Sequence, residues 1–131
     1  MNLFLNMCAN PSVLPSLSEI AEALGNEYEI ESLVGGAEAL PIYRSMCKII
    51  ASMLIMPPQK QLANGYRVMD FRDEYKELTG AHLELAYEIY QECSKKQKIT
   101  DYTSWMQVVL CDTVRKLEPY YENQVNVDFG G

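Results

Sequence analysis

Asp70, Asp73 and Glu74 stand in a D-x-x-D-E cluster, a spacing that could gather oxygen ligands around Mg²⁺ for a phosphate-bearing substrate. The same acids fall where a helical pattern begins, and carboxylates there meet the positive end of the helix dipole without any metal. His82 is the only histidine, so any imidazole-based acid-base or cysteine-histidine mechanism must use it. It lies in an apolar seam, the setting of a core or interface histidine satisfied by one hydrogen bond. The Glu-x-x-His pairs of a di-iron bundle would need two histidines. Cys8, Cys47, Cys93 and Cys111 lack the close pairing of a zinc ribbon or a redox pair, so each reads as a small hydrophobe with a reduced thiol. A zinc site would have to combine these scattered cysteines with His82. In SKKQK, Lys95, Lys96 and Lys98 come near Tyr102 and Trp105, a basic and aromatic neighbourhood suited to single-stranded nucleic acid, although cations ending a helix also answer its dipole. No phosphate-binding loop, dinucleotide fingerprint or nucleophile elbow occurs. The expectation is a protein that is not an enzyme and uses neither metal nor cofactor.

Helices must position these residues. In PSLSEIAEALG, Ser16 and Glu19 have capping-box spacing, Leu17, Ile20, Ala21 and Leu24 share a face, and Gly25 is placed to stop the helix. NEYEIESLVGGAEAL reads two ways: Tyr28 and Ile30 alternate with glutamates as in a strand, while Ile30, Leu33 and Val34 suit a helical face. A helix is expected there, then a loop at Gly35 and Gly36. Pro41 suits a first helical position, and Pro57 with Pro58 ends the helix that it opens. Between them Ile42, Tyr43, Met46, Cys47, Ile49, Ile50, Met53 and Leu54 form a stripe over about half the circumference. That width predicts a central helix with Arg44, Ser45, Lys48 and Ser52 on its outer face.

Asn64-Gly65 favours a tight hairpin turn, because both residues tolerate positive φ. Val68, Phe71, Tyr75, Leu78, His82, Leu85 and Ile89 keep helical spacing across Gly80 and predict one long helix from about Asp70 to Ser94. A break at the glycine is the alternative, since it costs roughly 1 kcal/mol there relative to alanine. Asp101 or Thr103 then caps a last helix to Glu118, stopped by Pro119 and striped by Met106, Val109, Leu110, Thr113, Val114 and Leu117. Trp105 and Val108 lie off that stripe, flanking Asp112. A tryptophan so placed marks an interaction hot spot or packs under a neighbouring loop.

A chain of 131 residues suits one domain, and one of that size buries roughly two-thirds of its unfolded surface without needing a staple. Its net charge of −7 is unevenly spread: residues 1–43 hold six glutamates and no base, 117–131 hold three acids and no base, and all eleven bases lie between. An acidic total argues against a binder that neutralises phosphates. The opening MNLFLNMCANPSVLP lacks the basic start of a signal peptide, and SMCKIIASMLIM is too short for a membrane span of ~20 residues. A cytoplasmic setting, or a particle assembled there, is expected.

The fold class predicted is all-α: a single small bundle-like domain of four to five helices over 16–118, with room for a short hairpin near Asn64-Gly65. Extended arms flank it at 1–15 and 119–131. In the second arm Val125, Val127 and Phe129 alternate with Asn126 and Asp128, as in a strand with one apolar face. A lone strand cannot satisfy its own backbone and must add to an edge or groove. The expected partner-binding residues are Leu3, Phe4, Trp105, Val108, Tyr120, Tyr121, Val125, Val127 and Phe129. Together these features predict a structural or interaction subunit that oligomerises or docks into a larger assembly, such as a connector or adaptor of a viral or phage particle. An acidic regulator or inhibitor of a nucleic-acid-handling target is the alternative, and a small metal-dependent enzyme the second.

Overall fold

Ser16 opens the first helix of the computed structural model, which describes residues 15–115. Its hydroxyl oxygen accepts the Glu19 backbone N–H at 3.2 Å and donates to the Glu19 carboxylate at 3.3 Å, the local pairing that the spacing predicts. The helices are α1 (Leu17–Glu27), α2 (Gly36–Ile55), α3 (Val68–Glu74), α4 (Gly80–Lys96) and α5, which spans 102–115. The described residues form an all-α domain, with no strand beyond an isolated bridge. No helix among them is long and apolar enough to cross a membrane. The expected arm at 119–131, the expected arm at 1–15 apart from Pro15, and Leu117, Glu118 and Cys8 lie outside the described residues.

Helix α1 buries Ile20, Ala21 and Leu24 against α2 but leaves Leu17 42% exposed, so the expected apolar face is one residue shorter. Gly25 does not stop the helix. It lies within it, and a Cβ there would meet Ile30 Cδ1 at 3.2 Å, so the glycine makes room for the returning chain. Termination falls to Glu29, which enters the left-handed region at φ 52°. The helix expected next shrinks to a 3₁₀ turn, Ile30–Ser32. Tertiary bonds outcompete local propensity there: Val34 N–H donates to the Glu84 carboxylate at 2.9 Å, and Val34 C=O accepts from the Tyr43 hydroxyl at 2.7 Å.

Helix α2 starts at Gly36, so Pro41 is an interior residue and not the first helical one. Ala37, Glu38, Ala39 and Leu40 are good helix formers and extend the helix backwards, while Pro41 forfeits one hydrogen bond. Most of the predicted stripe is buried, from Tyr43 through Met46, Cys47, Ile49, Ile50 and Met53 to Leu54, with Ile42 half-buried. Arg44 and Lys48 are exposed, whereas Ser45 and Ser52 are half-buried and fold their hydroxyls onto the Ile42 and Ile49 carbonyls. At the other end, the Arg72 guanidinium donates to the carbonyls of Leu54 and Met56, just before Pro57 and Pro58.

The Asn64-Gly65 turn has both residues at positive φ, 59° and 77°, closed by Leu62 N–H donating to Tyr66 C=O at 2.7 Å. The hairpin is a single antiparallel bridge, Gln61 with Arg67. The long helix expected from Asp70 to Ser94 is broken. After α3 come the 3₁₀ turn Tyr75–Glu77, extended Leu78 and Thr79, and then α4. A Cβ on Gly80 would meet Leu33 Cδ2 at 2.9 Å and the Tyr28 carbonyl at 3.2 Å, so this glycine lets the 28–33 strap cross close to the start of α4. The break rotates α4: His82, Leu83, Ala86 and Tyr87 are buried, and Leu85 and Ile89 of the predicted seam are half-buried. Asp101 caps α5, its carboxylate accepting from Ser104 N–H at 3.2 Å. Met106, Val109, Leu110 and Thr113 are buried as their spacing predicts, with Val114 half-buried. Gln107, Val108 and Cys111 are buried as well.

Two adjacent glycines separate strain from packing. At Gly35 (φ 104°) an added Cβ would lie 2.5 Å from Ala39 Cβ and 2.9 Å from Tyr87 Cε2, whereas at Gly36 (φ 61°) it meets nothing within 4 Å. Gly35→Ala is expected to destabilise by on the order of 3 kcal/mol and Gly36→Ala by about 1 kcal/mol, read from urea unfolding midpoints. Equal losses would refute the close contact with Tyr87.

Candidate functional site

The three carboxylates with metal-like spacing turn to different tasks. Asp70 accepts from the Arg67 backbone N–H at 3.2 Å and from its guanidinium at 3.3 Å, completing the cap of α3. The Arg67 side-chain hydrogen bond is the main influence holding the Asp70 carboxyl below the usual carboxylate range. Glu74 reaches across to Arg115 at 3.3 Å, and Asp73 is exposed. No group of three or more His, Cys, Asp or Glu able to hold a metal ion forms among the described residues.

A network that spacing did not reveal joins these acids to α5. The Arg115 guanidinium lies 4.7 Å from the centre of the Tyr66 ring, and the Tyr66 hydroxyl donates to Asp112. That bond to Asp112, more than burial, pushes the Tyr66 hydroxyl up to about 12. The turn at 61–67, α3 and α5 are thus pinned together by Tyr66, Glu74, Asp112 and Arg115. Only Arg67 and Asp70, three residues apart, left a local trace in the sequence.

His82 is buried, and its Nδ1 accepts the Thr79 backbone N–H at 3.0 Å. The imidazole therefore caps α4 from the third position of its first turn. Burial lowers its pKa, partly opposed by Glu77, which keeps the ring neutral near pH 7. Cys47 and Cys111 are buried free thiols, each pushed up to about 12 chiefly by desolvation, so neither supplies appreciable thiolate at neutral pH. Cys93 is also free and half-buried.

Aromatic rings form a ladder from the core outward. Tyr43 and Tyr87 have centroids 5.3 Å apart, Tyr87 and Tyr90 6.5 Å, and Tyr90 meets Tyr102 edge-on at 5.9 Å and Trp105 at 6.2 Å. Trp105, half-buried, borders a surface cleft of about 620 Å³ with Ile89, Cys93 and Lys98. Val108 borders the same cleft but is 8% exposed, and so offers a partner little surface. Tyr102 turns its hydroxyl inward to Ser45. Of the basic cluster, Lys95 pairs with Glu92 at 3.9 Å across exposed side chains, a contact of small energetic consequence. Leu3, Phe4, Tyr120, Tyr121, Val125, Val127 and Phe129 lie outside the described residues.

Comparison with protein-family models, with curated proteins and with solved structures finds no match for this chain.

Because folding lowers the His82 pKa, the unfolded chain takes up this proton first on acidification. This contribution to stability is complete above the unfolded value of about 6.5 and is lost as pH falls from there through the lower folded value. Urea midpoints should fall between pH 7.5 and pH 5.5, and the fall should shrink in His82→Gln, which keeps an acceptor without a titrating ring. An unchanged pH slope in the variant would remove His82 as its cause. Among Cys47, Cys93 and Cys111, native alkylation by iodoacetamide should modify Cys93 first, with the other two protected until unfolding. Peptide mass spectrometry reads the order, and early modification of Cys47 or Cys111 would contradict their burial.

Proposed function

We propose that the protein is a non-enzymatic structural or interaction subunit that oligomerises or docks into a larger assembly through its terminal segments. The observation that carries this reading is the alternation of Val125, Val127 and Phe129 with Asn126 and Asp128. A strand formed by these residues needs an edge or groove, and a second copy or another subunit would supply one. The helical character of 15–115 supports the reading, because Gln61 and Arg67 of its one bridge already pair with each other. Further support comes from Trp105, whose half-buried ring borders a cleft in the manner of an interface anchor. Met46, Met53 and Met106 are fully buried, whereas Met69 is 40% exposed and adds to the half-buried aromatic rings as contact surface. Acidic ends around a basic centre suit head-to-tail contacts between copies, as in a connector or adaptor of a viral or phage particle assembled in a cytoplasm.

One observation favours a second reading. Glu19, Glu22, Glu27, Glu29, Glu31 and Glu38 are all exposed in a stretch, residues 1–43, that carries no base, which gives this part of the chain an acidic surface. An acidic regulator that occupies a nucleic-acid site on a target would use such a surface, and its binding would weaken as salt rises.

Light scattering of the untagged chain across concentrations tests the assembly reading. A discrete oligomer is expected, reduced to monomer when residues 119–131 are removed, with helical circular dichroism retained. A persistent monomer, or an oligomer indifferent to the truncation, would defeat self-assembly through this segment.

A further inference from the structure

A cleft of about 560 Å³ opens between α1, the Ile30–Ser32 turn and the outer face of α2. Arg44 and Lys48, a helical turn apart on α2, line it together with Glu22 of α1 and Glu29 and Glu31 of the following turn. Two like charges four residues apart on a helix repel, a cost that a protein ordinarily relieves with a facing carboxylate. Here the carboxylates share the cleft, yet among the described residues no ion pair within 4.0 Å involves Arg44 or Lys48. Opposite charges thus line one cleft without a described ion pair between them.

The backbone adds a second observation. Glu29 sits at φ 52° and ψ 51°, the position after a helix where glycine or asparagine is the usual occupant. Apart from Asn64, it is the only described residue other than glycine with positive φ. A glutamate here is strained backbone, and no hydrogen bond or ion pair of its side chain among those described offsets the strain. It contributes to the cleft wall.

From this arrangement we infer that the cleft binds a small zwitterion of the amino-acid or short-peptide class, its carboxylate held by Arg44 and Lys48 and its ammonium by Glu29. Arginine offers the planar fork that matches a carboxylate, and lysine adds a point charge. Glu22 and Glu31 line the same cleft, so a ligand carrying only an anion would meet repulsion from them. Ile30 and Ala21 supply an apolar floor for the carbon chain between the two charges. The inference does not depend on the assembly reading, because every residue it uses belongs to a single copy.

Titration of the full ¹⁵N-labelled chain with glycine, β-alanine, γ-aminobutyrate and glycylglycine tests it, since the four probes differ in charge separation. At least one should give saturable amide shifts confined to 21–32 and 44–48, half-complete at or below about 1 mM. N-acetylglycine and glycinamide, each missing one charge, should bind at least tenfold more weakly than the best zwitterion. Arg44→Gln with Lys48→Gln should abolish the shifts while circular dichroism stays unchanged, both side chains being exposed. Glu29→Gly should raise the melting temperature and yet weaken binding, a pairing that a merely structural role would not produce. Absence of saturable shifts up to about 10 mM, equal binding of N-acetylglycine, or full affinity in Glu29→Gly would each overturn the inference.

Discussion

A helix buried along most of its length must end without leaving its last carbonyls unpaired, and α2 imposes this constraint on the rest of the molecule. Its C-terminal carbonyls at Leu54 and Met56 are met by the Arg72 guanidinium, which fixes α3 beneath that end. Its N-terminal half is fastened differently. Tyr43 donates to Val34 C=O while its ring lies against Tyr87, and Glu84 takes the Val34 N–H, so one residue's backbone joins the strap, α2 and α4. Gly35 comes next in the chain because nothing larger fits between Ala39 and Tyr87.

The residues richest in chemical potential are engaged in holding these joints. Asp70 and His82 serve helix starts, Glu74 braces α3 against α5 through Arg115, and Cys47 and Cys111 fill space as neutral thiols. A carboxylate or imidazole committed to a buried or paired hydrogen bond is displaced only at a cost, which suits it to structure. Among the groups left facing solvent are the glutamates of the first third of the chain, Arg44 and Lys48 on α2, Asp73, and Lys95, Lys96 and Lys98, with the Trp105 ring half-buried.

Local rules and tertiary packing part company at identifiable places. Ser16, Asp101 and the Asn64-Gly65 turn behave as short-range physics requires, because each satisfies its backbone within three or four residues. The α2 stripe is equally legible, since burial on so many sides leaves a long apolar pattern. Gly25 and Gly80 depart from their local reading because what decides each of them lies beyond its immediate neighbours, whereas Pro41 departs because the helix formers just before it start the helix early. Ile30 packs over Gly25, the Tyr28–Leu33 strap crosses Gly80, and a helix that starts early enough absorbs Pro41.

The sequence by itself determined an all-α domain, its central helix, its caps and turn, and the acidic bias of its first third, because periodicity and composition act over short distances. Only the tertiary structure decided where the long seam breaks, which face of α4 turns inward, and that Tyr66, Glu74, Asp112 and Arg115 meet. It also brought Arg44, Lys48 and Glu29 together in the lining of one cleft. Contacts between residues distant in the chain come from the packing of whole helices, and no local spacing encodes them.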